Sequence, residues 1–212
     1  DKIGLSYNGA NSIYKPISNQ EKEEIKKNIT TGNDYFLFVG ALSPRKNVAR
    51  LLCAFEQFRN KTQSAIKLVI VGEKMFKTHD IKNAYRQSKF KNDIIFTGRL
   101  LPEELRKFYA ASLALVFVPY FEGFGIPIAE AMYCETAVIT ANVTSMPEVA
   151  GDAALYADPF SVDSIADAMY KMYSDPELRT SLIEKGKIQK NLFSWDKTAE
   201  DLWKNIEKVM YE

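Results

Sequence analysis

Glu122-Gly-Phe-Gly-Ile-Pro-Ile-Ala-Glu130, directly after the apolar run Leu113-Ala-Leu-Val-Phe-Val118, decides the fold. An uninterrupted apolar run of that length suits a parallel strand buried on both faces. A loop then begins near Pro119. Gly123 and Gly125 permit positive φ and let backbone amides approach a ligand, and Pro127 suits the first turn of a helix reaching about Cys134. Free amides and the positive end of a helix dipole would face the crevice, where an anion suits them. The alternative is an ordinary Gly-rich turn, with Glu122 solvated and Glu130 complementing the dipole from the first helical turn.

Outward from this stretch, strand and helix patterns alternate, the sequence form of repeated βαβ units. Strands are predicted at Tyr35 to Val39, Lys67 to Val71, Asp93 to Phe96, Leu113 to Val118, Ala137 to Thr140 and Ala153 to Tyr156. Between and after them, helices are expected at Asn47 to Lys61, His79 to Ser88, Glu103 to Ala111, Pro127 to Tyr133, Val162 to Ser174, Pro176 to Gln189 and Lys197 to Met210. Val48, Leu51, Leu52, Phe55 and Phe58 recur at the spacing of one buried helix face. The fold class is thus α/β, a doubly wound parallel sheet of about six strands with helices on both faces. In the strand order 3-2-1-4-5-6 the winding reverses between strands 1 and 4, and ligands bind at that reversal. The loop Gly40 to Lys46 and the loop Pro119 to Ile126 would then open onto one crevice, where Arg45 and Lys46 oppose a Gly-rich helix N-terminus and could neutralise two phosphates.

The 212 residues, 46% hydrophobic and 26% charged, have the composition of a folded globular domain. With 28 Lys and Arg against 27 Asp and Glu there is no global charge to attract nucleic acid, and Glu21 to Lys27 reads as a solvated face. No apolar stretch is long enough to span a bilayer. Asp1-Lys-Ile-Gly4 resembles neither a signal peptide nor a natural start, so a piece of a larger protein is expected. Cys53 and Cys134 are read as reduced structural thiols.

Several further segments extend the pattern. Phe36-Leu-Phe-Val-Gly-Ala-Leu-Ser-Pro-Arg-Lys-Asn47 is followed by Leu51-Leu-x-Ala-Phe55; Ile95-Phe-Thr-Gly98 and Met146-Pro-Glu-Val-Ala-Gly-Asp-Ala-Ala154 come later. With Glu122, seven residues and Glu130, they resemble in order the donor-binding motifs of the retaining glycosyltransferases of group 1 (family 4), which have the GT-B fold. The resemblance implies the C-terminal, donor-binding half of that fold over residues 1–212, with 1–18 as interdomain linker and leading strand, 197–212 as a C-terminal helix, and the N-terminal acceptor domain absent. It implies metal-independent transfer of a hexose, with retention, from a nucleoside-diphosphate sugar to a glycan or lipid-linked acceptor in polysaccharide biosynthesis. The Gly40 to Asn47 segment is similar to mannosyltransferase-like members, which favours GDP-mannose, then UDP-sugars. A cytoplasmic location is implied, with peripheral attachment to the inner face of the membrane as the alternative.

The same resemblance assigns roles. Arg45 and Lys46 would bind the pyrophosphate and assist its departure, with Gly40 giving the backbone room. Glu122 would hold hydroxyls of the transferred sugar, and the amides of Phe124, Gly125 and Ile126 would meet the sugar or distal phosphate. Glu130 would accept from both ribose hydroxyls, and Gly98, Arg99 and Leu100 would sit beside the base. One departure is Ala41, where many members have arginine. No cofactor or metal is expected: the chain lacks an Asp-x-Asp motif, and its one histidine, His79, has no flanking ligand set and is read as a surface residue near a helix start.

Other features have structural readings. Ser145-x-x-Glu148 is a capping box as much as a site beside the nucleotide. Trp195 and Trp203 are read as core or interdomain packing, and Asn142-Val-Thr144 would be a glycosylation sequon only in a secreted protein. Two rival functions stay open. A dinucleotide fingerprint at Gly123-x-Gly125 has Ile128 where a third glycine or alanine belongs and follows the wrong strand. A binding module could hold a nucleotide sugar without transferring it.

Overall fold

A computed structural model describes residues 4–75 and 78–211, with residue 211 described by its backbone alone. Residues 1–3 and 212, which the expected linker and C-terminal helix include, lie outside the described residues. Six strands, β1 (Tyr35–Val39), β2 (Lys67–Val71), β3 (Ile94–Gly98), β4 (Ala114–Phe117), β5 (Val138–Ala141) and β6 (Ala154–Ala157), form one sheet in the order β3-β2-β1-β4-β5-β6. All neighbours pair in parallel. Every residue of β1, β4 and β5 is buried, which is why β1 and β4 read as continuous apolar runs.

Helices cover both faces. The helix after β1, α2 (Val48–Thr62), packs between α3 (His79–Gln87) and α7 (Val162–Ser174). On the other face, α4 (Pro102–Ala111) packs between α1 (Asn19–Thr30) and α5 (Ile126–Tyr133), and α5 also meets the short α6 (Met146–Ala150) and α8 (Pro176–Gln189). The buried stripe of α2 presents Phe58 edge-on to Phe36 of β1 at 5.4 Å between ring centroids. Replacing such a ring by alanine typically costs about 3–5 kcal/mol.

The helices α7 and α8 and the strands β1 and β2 have the predicted bounds. β3 starts one residue later than predicted, because Asp93 closes a 3-10 turn and turns its carboxylate to Arg59 (2.7 Å) and Lys67. Burial alone would raise that carboxyl, but the two cations hold it below the usual range. The helix α1 stands where only a charged face was expected. Ser18 caps it, taking the amide of Glu21 while the Glu21 carboxylate takes the amide of Ser18, a reciprocal pair worth about 1 kcal/mol.

The expected leading strand is not formed. Residues 4–11 carry no strand, because their backbone bonds go to the C-terminal region: the Ala10 amide donates to the Phe193 carbonyl and Thr198 Oγ1 to the Tyr7 carbonyl. The final helix, α9 (Trp195–Tyr211), begins two residues before the predicted start. Trp195 and Trp203, at 57% and 59% exposure, lie outside the core, which removes the core reading for both. Cys134 is buried and Cys53 exposed, both as free thiols.

Candidate functional site

At the carboxyl ends of β1, β2 and β3 stand Gly40, Gly72 and Gly98. The Gly40 amide donates to the Val71 carbonyl (2.9 Å) and the Gly72 amide to the Gly98 carbonyl (2.8 Å), which stitches the three strand ends together. Gly72 is obligatory here: a Cβ on it would lie 2.0 Å from the Gly40 carbonyl oxygen, and its φ is +148°.

Beyond Gly40 the chain makes a 3-10 turn, Pro44–Lys46, which aims both cations across the crevice. Arg45 Nη1 donates to the Phe121 carbonyl (3.0 Å) and to Glu122 Oε1 (2.6 Å), and Lys46 Nζ lies 2.6 Å from the same Oε1. The loops after β1 and β4 therefore meet, as the predicted strand order requires. Lys46 and Glu122 are each only 12% exposed, whereas Arg45 is 50% exposed. The Lys46 ammonium also sits 4.9 Å from the centroid of the Phe117 ring, and its methylenes pass along Gly40.

Asn47 anchors this turn, a role that sequence reasoning did not assign. It adopts φ +60°, which asparagine tolerates better than most residues, and it is 2% exposed. Its amide nitrogen donates to the carbonyls of Val118 (2.9 Å) and Pro159 (2.8 Å), so one side chain ties the ends of β1, β4 and β6. Arg50 adds a bond to Asn47 Oδ1 (3.1 Å) and contacts the Tyr120 hydroxyl.

The second loop is held from below. Gly125 caps α5 with φ +107°, and Pro127 occupies the first turn as predicted. Gly123, expected to share the positive φ, does not have it. Ser145 makes no capping bond; its hydroxyl donates instead to the carbonyls of Glu122 (2.9 Å) and Phe124 (3.0 Å). The capping reading of Ser145-x-x-Glu148 is thus replaced by a loop clamp, and the Glu148 carboxylate accepts from the Tyr7 hydroxyl (2.7 Å). The Phe124 ring is wedged between Tyr7 (6.2 Å) and Phe193 (5.4 Å). With the loop fixed in this way, the amides of Phe124, Gly125 and Ile126 have no acceptor among the described residues.

Glu130 lies in the second turn of α5 rather than the first, because the helix starts at Ile126. Its Oε2 accepts from the Tyr109 hydroxyl (2.8 Å). Burial pushes the Glu130 carboxyl above its ordinary 4.5, against hydrogen bonds from Tyr109 and Tyr14 that favour the carboxylate. Burial likewise pushes the nearby Cys134 thiol up to about 12, which makes it inert.

On the other side of Lys46, a cleft of about 310 Å³ opens at the ends of β1–β3. Arg99 and Leu100 line it together with Val39, Gly40, Val71, Glu73 and Leu105. Gly98 lies just behind, bonded through its carbonyl to Gly72. His79 begins α3 on the surface, as expected. Among the described residues no three His, Cys, Asp or Glu side chains group as a metal ion would need, and no helix is long and apolar enough to cross a membrane.

Chemically, the crevice offers two cations, a row of free amides at a helix start and a carboxylate between them. Such a set can hold a diphosphate and stabilise charge that develops on it. Comparisons with known proteins give the family. O-antigen chain mannosyltransferase B of Escherichia coli is 32% identical over 197 residues, covering 92% of the chain and 52% of the relative. The chain therefore spans about half the length of that protein. In structure, the C-terminal domain of a group 1 family glycosyl transferase, LpcC of Francisella tularensis, superposes with a TM-score of 0.73 at 25% identity, over 84% of the chain and 93% of that domain. The Anabaena protein HepE in complex with UDP and glucose gives a TM-score of 0.85 at 19% identity, over 96% of the chain and 56% of HepE, which shows the shared fold. The model of the family described as glycosyl transferases group 1 matches residues 19–189, and the chain belongs to that family.

Proposed function

We propose that this chain is the donor-binding half of a retaining, metal-independent glycosyltransferase. It takes a hexose, with mannose favoured, from a nucleoside diphosphate to a glycan or lipid-linked acceptor. The observation that carries this reading is the convergence of Arg45 and Lys46 on Glu122 beneath the open N-terminus of α5. Here the Glu122 carboxylate stands where phosphate oxygens would, as the anion that the two cations require. An arriving diphosphate takes over those cations and the free amides, and Glu122 is released toward the sugar hydroxyls, for which a carboxylate offers two acceptor oxygens.

When the anomeric bond to the diphosphate breaks, negative charge grows on the departing oxygen. Lys46 and Arg45, preorganised within a partly buried crevice, stabilise that charge, and the amides of Phe124, Gly125 and Ile126 share it. The departing phosphate then takes the acceptor's proton, with Glu122 engaged by the sugar hydroxyls. Glu130 holds the ribose hydroxyls.

The names of relatives such as O-antigen chain mannosyltransferase B support mannose and polysaccharide acceptors. That relative is about twice as long as the matched region, which supports a further half that brings the acceptor. We place the reaction in the cytoplasm; any peripheral membrane attachment belongs to the longer protein. The test is thermal unfolding with GDP, UDP, GDP-mannose and UDP-glucose. A ligand at 100 times its dissociation constant adds about 2.7 kcal/mol. No shift with any of the four would remove the donor site.

A further inference from the structure

We propose that the cleft at the ends of β1–β3 selects guanine, and that Glu73 is the residue that selects it. This rests on the donor reading above and adds to it the identity of the base and the group that reads it.

Glu73 follows β2, and Arg99 follows β3; both line the same cleft. Neither side chain has a hydrogen bond or ion pair with any described residue, although they carry opposite charges and share one cavity. Elsewhere around the sheet, facing charges are satisfied, as Asp93 is by Arg59 and Lys67 and as Glu122 is by Arg45 and Lys46. Glu73 and Arg99 thus bring unpaired and opposite charges to one slot that is open to solvent.

The backbone beneath Glu73 is fixed. Its carbonyl accepts from the Leu42 amide (2.8 Å), the Met75 amide donates to the Leu42 carbonyl (3.1 Å), and Gly72 is pressed against the Gly40 carbonyl. The carboxylate is thus presented by a rigid loop, which is what recognition of a planar edge needs. Between the two charges the walls are apolar, formed by Val39, Val71, Leu100 and Leu105. A planar base fits between such walls. Lys46 passes along Gly40 at the mouth, so a diphosphate held there reaches this slot through a ribose.

The chemistry of the bases then decides. Guanine presents N1–H and the exocyclic amine side by side, two parallel donors that match the two oxygens of a carboxylate. Its O6 and N7 are neighbouring acceptors that match a guanidinium fork. Uracil presents one N–H flanked by two carbonyls, so one carboxylate oxygen would face another acceptor. Adenine and cytosine each put a ring acceptor beside the amine, with the same defect. Only guanine satisfies both Glu73 and Arg99.

The test is calorimetric titration of this chain and of its Glu73→Ala and Glu73→Gln variants with GDP, IDP, UDP and ADP. IDP differs from GDP only by the missing exocyclic amine. Expected are a GDP affinity at least tenfold above UDP and ADP, a loss of several-fold from GDP to IDP, and a tenfold or greater loss of GDP affinity in Glu73→Ala with UDP unchanged. Glu73→Gln, which keeps the shape but only one acceptor, should fall between, and it serves in place of the alanine variant should that one unfold. Equal binding of GDP and UDP, or equal losses for both on changing Glu73, would overturn the assignment of guanine. If no diphosphate binds, or if Lys46→Ala leaves diphosphate binding intact, the donor reading itself fails; UDP binding that depends on Lys46 without a preference for GDP defeats the guanine assignment alone.

Discussion

Lys46 Nζ and Glu122 Oε1 lie 2.6 Å apart, one from the loop after β1 and the other from the loop after β4, with both side chains almost out of solvent. Each loop thus supplies half of a charge pair whose partner lies across the crevice. If the cations exist for phosphate, Lys46→Ala and Arg45→Ala should each weaken nucleoside-diphosphate binding tenfold or more and leave nucleoside binding nearly unchanged. Hydrogen bonds to charged groups contribute on the order of 1.5–3 kcal/mol, which sets that size. The less exposed Lys46 should show the larger loss. Titration that finds equal losses for nucleoside and diphosphate would take both residues out of the phosphate site.

Glu122 competes with phosphate for those same cations. Glu122→Gln should leave GDP binding as strong as before or stronger, while binding of the intact nucleotide sugar loses its advantage over the bare nucleotide. Comparison of GDP with GDP-mannose, and of UDP with UDP-glucose, reads this directly. A clear fall in nucleotide affinity in the glutamine variant would mean that Glu122 holds the nucleotide.

Glu130 makes stability depend on pH. Its carboxyl is raised above 4.5 in the folded chain. Below that pH it is protonated in both states; as the pH climbs, the unfolded chain releases the proton first, so folded stability falls until the folded carboxyl has ionised too. Glu130→Gln should remove that descent, and the variant should gain on the wild type as the pH rises from about 4.5. Denaturant unfolding from pH 4 to 8 measures the difference. A constant difference at every pH would show that the carboxyl titrates alike in both states.

Asn47 holds the Val118 carbonyl and shares the Pro159 carbonyl with Arg50 Nη1 (3.1 Å). Asn47→Ala leaves the Val118 and Pro159 carbonyls without this donor and puts alanine at positive φ, so a loss of about 2–4 kcal/mol is expected. Diphosphate affinity should fall with it, because the Arg45–Lys46 turn loses its anchor. Thermal unfolding and titration of one sample check both. An unchanged melting temperature would mean that the turn is held otherwise.

Much of this was legible because burial wrote it into the sequence. β1, β2 and β4 read as unbroken apolar runs, and the strand order brought Arg45, Lys46 and Glu122 together across a long span of chain. The misses have specific causes. The helix α1 buries only Thr30 fully, so no apolar stripe announced it, though Ser18 and Glu21 carried its capping signature. Residues 4–11 alternate like a strand, but their backbone bonds go to Phe193 and Thr198. Ser145 carried the letters of a capping box, and only the fold reveals that Phe124 and Glu122 offer it better acceptors. Glu73 had no motif to mark it; its meaning depends on the neighbouring strand that presents Arg99.

Phe124 is clamped by Tyr7 and Phe193, and nearby the Tyr7 carbonyl accepts from Thr198, 191 positions further along. Contacts between such distant positions are among the slowest to form, since the chain between them must already be organised. On a ribosome, Phe193 and Thr198 emerge after every strand has left the exit tunnel. The loop that carries Glu122 is therefore the last part of the crevice to become ordered, and a nascent chain can assemble its sheet well before it can hold a ligand.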